Sequence, residues 1–252
     1  LNHYERLEQV RLQRQQIETL RQTEAMQSQF LNLVSHELRT PLSTIMGSAN
    51  LLKEVPNPSR MQLDRYISRI QRSAGALLAL VNDLLNAGQI QAGQFHLTKA
   101  PLDFKRVVSE TLSEFTPLLL DKKLTLTLQA PETLPTLEGD RLRLCQVVRN
   151  LLSNAIRHTP ANGTLTVSVR HEAGFLTCEV QDTGTGIPAD KIPRLFQRFS
   201  RVTDDDDQVT RGVGLGLYIV KALIDSHGGS IGVKSVLGQG STFTFTLPLA
   251  SE

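Results

Sequence analysis

Apolar residues recur at helical spacing through the first third of the chain and give way to a two-residue alternation beyond about residue 93. At about 100° per residue, Phe30, Val34, Leu38, Leu42, Ile45, Ala49 and Leu52 line up as one stripe of an amphipathic helix. Upstream, residues 1–30 contain neither Pro nor Gly, and Leu7, Val10, Ile17 and Leu20 keep a rough three-and-four spacing that Arg14 interrupts. This predicts a marginal coiled-coil helix over 1–27, continuous with the striped helix. Val55-Pro-Asn-Pro58 breaks the pattern. A second stripe then runs from about Ser59 to Gln91 through Leu63, Ile67, Ile70, Ala74, Leu77, Val81 and Leu84. Two long helices on a short loop predict an antiparallel hairpin over 28–92, with too little core to stand alone. Two hairpins about a two-fold axis make a four-helix bundle, so a homodimer is expected.

After Gly93, short β-rich runs (124–129, 164–170, 176–181, 230–234 and 242–247) alternate with helical ones (104–120, 140–158 and 215–227). In one strand Leu165, Val167 and Val169 point one way and Thr164, Thr166 and Ser168 the other. The expected fold of 93–252 is an α+β sandwich, a sheet under helices.

Composition narrows the options. The 252 residues are 40% hydrophobic, enough for one or two domains, and 27 cations against 25 anions leave +2, no electrostatic case for nucleic acid. No run approaches the roughly 20 apolar residues that span a bilayer, and no signal peptide is seen, so this portion is expected to make no membrane contact. The first residue is Leu1, not Met, so a longer protein is expected, with an upstream sensor or membrane anchor left open. Cys145 and Cys178 are too few and too far apart for a disulfide framework or zinc site. Cys178 alternates with Leu176 and Val180, as a buried strand thiol would, and a reducing cytoplasm fits.

Chemistry first shows at His36. It lies about 200° from Val34 and Leu38 on the helical wheel, so it faces away from the apolar stripe, with Glu37 next in sequence. Arg39 and Thr40 share its face. Pro41 costs roughly 3 kcal/mol inside a helix and leaves the Glu37 carbonyl without its helical partner, a natural bend or hinge. The alternative is that Pro41 opens a second helix, but the stripe continues in phase through Leu42 and Ile45.

Three elements carry chemistry in the second domain. Asn150, Asn154, Arg157 and His158 fall on one polar helix face. Amide oxygens there suit a magnesium ion that bridges phosphates, and Arg157 offers a fork to phosphate. Asp182-Thr-Gly184-Thr-Gly186-Ile187-Pro188 follows a strand, where a carboxylate can accept from an adenine amino group and glycines let backbone approach a flat base. Gly212-Val-Gly214-Leu215-Gly216-Leu217 opens a helix, whose free amides suit phosphate. The dinucleotide spacing and the Walker P-loop are both absent.

The segment Ser35-His-Glu-Leu-Arg-Thr-Pro-Leu42 resembles the phosphoacceptor box of the sensor histidine kinases of two-component signalling. Asn150–His158 resembles that family's asparagine box, although Arg157 and His158 stand where Lys and Tyr are common. The segments 182–188, 212–220 and 238–244 resemble its glycine boxes, and 195–201 its phenylalanine box. The resemblance covers nearly all of residues 25–250, in the family's order. It implies ATP and Mg2+, with Asn154 as metal ligand. The implied catalytic group is His36, Glu37, Thr40 and Arg201. The implied nucleotide-binding group is Asn150, Asn154, Arg157, His158, Asp182, Gly184, Gly186, Ile187, Phe199, Gly212, Gly214, Leu215, Gly216, Leu217 and Thr242.

The resemblance further implies autophosphorylation of His36 and transfer to an aspartate of a separate response regulator. Glu37 would fix the imidazole tautomer, and Thr40 would position water for regulator dephosphorylation. The stretch to Arg211 would be a lid over ATP, with Asp204–Asp207 turned to solvent. A cytoplasmic location is implied for this portion, and an inner-membrane anchor for the full-length protein is compatible with it. Two other readings are a clamp ATPase, against which the presented His36 argues, and an inert dimeric scaffold, against which the intact boxes argue.

Overall fold

The computed structural model describes residues 3–200 and 214–249, and the chain divides into two compact units, 1–81 and 82–252. In the first unit, helix α1 (His3–Glu54) runs through Pro41 unbroken, so Pro41 does not open a second helix. Two hydroxyls brace the turn: Thr40 Oγ1 donates to the His36 carbonyl at 3.3 Å, and Thr44 Oγ1 to the Thr40 carbonyl at 3.1 Å. Helix α2 (Arg60–Gln91) crosses into the second unit. It opens on a reciprocal capping box in which Ser59 N donates to Gln62 Oε1 at 2.9 Å and Gln62 N to Ser59 Oγ at 3.3 Å.

The predicted stripes are only half covered. Val34, Leu38, Ile45, Ile70 and Leu77 are half-buried, whereas Leu42, Ala49, Leu63, Ile67 and Val81 remain exposed. Such a face is what one hairpin of a two-chain bundle presents before its partner is added. Among the described residues, no helix is long and apolar enough to cross a membrane.

The second unit is built on a five-stranded sheet, β2 (Thr125–Gln129), β4 (Thr164–Glu172), β5 (Phe175–Asp182), β7 (Gly240–Pro248) and β6 (Ser230–Val236), in that spatial order. β2 pairs parallel with β4 and all other pairings are antiparallel. A short pair, β1 (Ala100–Leu102) with β3 (Leu137–Gly139), stands apart. Helices α3 (Phe104–Glu114), α5 (Arg141–His158) and α6 (Gly216–Ser226) cover one face of the large sheet. Alternation holds along β5, where Leu176, Cys178 and Val180 are buried, and Phe104 meets Phe245 edge-to-face at 6.0 Å. Burial pushes the Cys178 thiol up, so it stays protonated and inert.

The predicted helix over 104–120 is in fact two. Pro117 has no N–H for the Ser113 carbonyl, so the chain breaks at Phe115 and restarts as α4 (Thr116–Lys122). His227, 4% exposed, joins two helix ends. Its Nδ1 lies 2.7 Å from the Leu223 carbonyl, and its Nε2 accepts Asp140 N–H at 3.0 Å. That pair of partners fixes a neutral ring with the proton on Nδ1, and burial holds its pKa below the usual value.

Candidate functional site

His36 sits on the open face of α1 with 64% of its side chain exposed. Glu37 is largely covered at 13%, and its Oε1 lies 3.8 Å from His36 Nδ1, ion-pair range but longer than a hydrogen bond. Nε2 is therefore the ring nitrogen turned away from the carboxylate. Thr40 shares this turn through its bond to the His36 carbonyl.

In the second unit, α5 starts firmly because Asp140 caps it: Oδ1 accepts Arg143 N at 3.2 Å, while Oδ2 accepts Thr98 N at 3.0 Å. Along its polar face, Asn150 Nδ2 donates to the Gly216 carbonyl at 3.3 Å, tying α5 to the first residue of α6. Asn154 and Arg157 are half-buried one and two turns on. At the end of the helix, the carbonyl of His158 accepts Thr185 N–H at 3.2 Å. Partial burial of the His158 ring, then the charges of Arg157 and Lys122, hold its pKa below the usual value.

Asp182 ends β5 only 5% exposed. Its Oδ1 accepts Gly184 N–H at 2.8 Å, and the Ser241 backbone N–H also points at the carboxylate. Burial raises its pKa, and these two N–H groups oppose the rise. The turn beyond requires glycine. A Cβ on Gly184 would lie 2.6 Å from both Asp182 Oδ1 and the His158 carbonyl, and Gly186 has φ +68° with the Val236 carbonyl 2.1 Å from where its Cβ would be. Ile187 is buried and its N–H reaches Ser235 Oγ at 2.8 Å.

The second glycine run is described from Gly214. The Gly214 carbonyl accepts Phe199 N–H at 3.1 Å, and α6 begins at Gly216 with no side-chain cap on its first amides. Leu217 is half-buried, and Phe199 is half-buried with φ +61°. Arg201, Gly212, Asp204–Asp207 and the stretch to Arg211 lie outside the described residues.

Two expected residues are placed differently. Leu215 is 2% exposed and its side chain is core, so only its backbone borders the site. Thr242 stands in register with Gln181 and Lys234 on the outer sheet face, opposite the face of Asp182. Its neighbour Ser241 is the residue paired with Asp182, and Ser241 Oγ meets Ser235 Oγ at 2.9 Å. No motif marks Ser235 or Ser241 in the sequence as a neighbour of Asp182. A one-residue shift inside Gly240-Ser-Thr-Phe swaps faces, and strand alternation anchored on Phe243 was the signal that could have found Ser241. Asn150 is brought to the site, with its Nδ2 bonded to the Gly216 carbonyl.

Together these features define an ATP-binding domain of layered α/β build, linked in one chain to a helix that presents a histidine. Residues 139–251 match the family described as histidine kinase-, DNA gyrase B- and HSP90-like ATPase, and residues 26–93 match the His Kinase A (phospho-acceptor) domain. The circadian input-output histidine kinase CikA of Synechococcus elongatus is 38% identical over 89% of this chain and 30% of its own length. The sensor histidine kinase RcsC of Escherichia coli is 38% identical over 88% of this chain and 23% of its own. Among solved structures, full-length ShkA in complex with AMPPNP aligns with TM-score 0.66 and 31% identity, covering 89% of this chain and 46% of that one. The Acinetobacter baumannii histidine kinase AdeS aligns with TM-score 0.64 and 27% identity over 86% of this chain and 98% of that one. The chain belongs to the sensor histidine kinases of two-component systems. It spans less than a third of the length of the two curated relatives named.

Proposed function

We propose that this chain transfers the terminal phosphoryl group of ATP to His36 and passes it on to an aspartate of a separate response regulator. The observation that carries the reading is an exposed imidazole with a shielded carboxylate 3.8 Å from its Nδ1. In the transfer, the lone pair of Nε2 forms the N–P bond while the bond from the terminal phosphorus to the ADP oxygen breaks. Glu37 holds the Nδ1 proton and balances the positive charge that develops on the ring.

On the nucleotide side, Asp182 accepts from the adenine amino group, and the open amides of α6 face phosphate. Arg157, His158 and Arg201 supply donors to the phosphate chain. The donor set also fits Mg2+: Asn154 offers a hard amide oxygen, and among the described residues no group of three or more His, Cys, Asp or Glu forms a full protein cage. An ion held by Asn154 and the phosphates would neutralise charge on the transferring group. The half-covered helical stripes support a homodimer, with the phosphotransfer hairpin over 28–92 and the ATP domain over 93–252. A cytoplasmic site for this portion, and a membrane anchor elsewhere in the full-length protein, fit the same reading.

Incubation with terminal-phosphate-labelled ATP and magnesium is expected to label the wild type and leave His36→Gln unlabelled, the label being acid-labile and alkali-stable. ADP release without label in the wild type overturns the reading in favour of a clamp ATPase. Thr40 carries a second activity in this proposal, aligning water for dephosphorylation of the regulator. Thr40→Ala should cut that dephosphorylation about tenfold while autophosphorylation changes less than threefold. Equal losses in both would remove the separate role.

A further inference from the structure

We propose that Lys122, which lies outside every asparagine, glycine and phenylalanine segment of the site, is a positioning residue for nucleotide binding. This inference rests on the nucleotide reading above. A helix leaves its last four carbonyls without intrahelical donors, and α5 ends at His158, so Ala155, Ile156, Arg157 and His158 each need one from elsewhere. Ala155 takes Thr159 N–H at 3.0 Å and Thr159 Oγ1 at 2.6 Å. His158 takes Thr185 N–H from the glycine turn. The two between them are served by one side chain: Lys122 Nζ donates to the Ile156 carbonyl at 2.7 Å and to the Arg157 carbonyl at 3.1 Å.

The third proton of the ammonium reaches the Thr159 carbonyl at 3.0 Å, so all its donors are used on one helix end. Lys122 is itself held from behind. It closes α4, the next residue takes the left-handed φ of +54°, and the Lys122 carbonyl accepts Asn162 N–H at 3.3 Å. A half-buried cation at a helix C-terminus also meets the negative end of the dipole. No neutral aliphatic side chain reproduces either effect.

What Lys122 fixes is the turn that carries the candidate phosphate contacts. Arg157 and His158 are the last two residues of α5, and Asn154 is one turn before. The same turn abuts the segment leading from Asp182, because Gly184 leaves no room for a side chain against the His158 carbonyl. With the Lys122 donors removed from the Ile156 and Arg157 carbonyls, the last turn loosens and carries Arg157 and His158 with it. Nucleotide binding weakens while the phosphoacceptor helix keeps its own geometry.

The test uses the full chain, with autophosphorylation measured against ATP concentration for wild type, Lys122→Met, Lys122→Arg and Arg149→Met. The last removes the α3–α5 ion pair, in which Arg149 Nη2 lies 2.8 Å from Glu114 Oε2, and serves as the control for a merely structural loss. Lys122→Met is expected to raise KM for ATP about tenfold with kcat changed less than threefold. Lys122→Arg should return KM to within threefold of wild type, and Arg149→Met should leave KM unchanged. A Lys122→Met KM within twofold of wild type overturns the proposal, as does an equal rise in Arg149→Met. If Lys122→Met does not fold, Lys122→Gln decides, with a KM rise of threefold or more expected and one below twofold overturning it. Absence of wild-type labelling would instead strike the phosphotransfer reading, and the dissociation constants of the same variants for ATP, read by isothermal titration, would then decide the inference on the same ratios.

Discussion

Asp182→Asn should abolish useful ATP binding, raising the dissociation constant about 100-fold, while the folded chain becomes no less stable at neutral pH. The first half follows from polarity. A carboxylate accepts from an amino group, whereas the amide of the variant can turn its own donors toward one, and a buried charged hydrogen bond contributes about 1.5–3 kcal/mol. The second half follows from burial, which raises the Asp182 pKa despite the Gly184 and Ser241 N–H groups. A raised folded-state pKa means the folded chain holds that proton more tightly than the unfolded one. The ionised group therefore costs stability, by an amount that grows as pH climbs from the unfolded value through the folded one. Relative to wild type, the variant should gain in thermal midpoint as pH rises from about 3 toward neutrality. Isothermal titration with ATP and a melting series across pH read both halves. Retained ATP affinity, or a midpoint that falls at pH 7, would contradict the assignment.

Glu37→Gln is expected to slow autophosphorylation about 100-fold with ATP binding untouched, because general acid–base groups contribute factors of 10² to 10⁴. Gln keeps the shape and can still accept from Nδ1, but it cannot take a proton or balance an imidazolium. The 3.8 Å separation is longer than a hydrogen bond, so the expected loss requires the pair to close as the phosphoryl group arrives, as apo catalytic pairs commonly do. Single-turnover rates at saturating ATP isolate this step. A loss below threefold would reduce Glu37 to a neighbour that merely shares the turn.

The parts of this site that could be read from the chain are those whose chemistry is local. His36 beside Glu37, the Asp182 turn and the glycine run before α6 each occupy fewer than ten consecutive residues, so composition and spacing suffice. The strand alternation at 164–169 likewise predicted the buried face of β4. What escaped depended on contacts between distant segments or on a shift of one residue. Lys122 is 34 and 35 positions from the carbonyls of Ile156 and Arg157, and nothing in Asp-Lys-Lys announces them. Ser241 and Thr242 are both hydroxyl residues in a β run, and only the strand's phase assigns Ser241 to Asp182. The apolar pattern crosses Pro117 in phase and so hides the break at Phe115, which the missing N–H sets. β1 and β3, at three residues each, are too short for periodicity to show.

The 52 residues of α1 form one rod about 78 Å long at 1.5 Å per residue. A rod transmits torque: each residue inserted at its upstream end turns everything downstream by about 100°, so the azimuth of His36 is set by length as much as by local sequence. The rod's stiffness is uneven. The Glu37 carbonyl has lost its ladder donor to Pro41, while the hydroxyls of Thr40 and Thr44 donate to the His36 and Thr40 carbonyls, so this turn of α1 is held by one ladder bond fewer and two side-chain bonds more. That turn begins one residue beyond His36, so a rotation of α1 upstream of it reaches His36 before it reaches the turn that lacks a ladder bond.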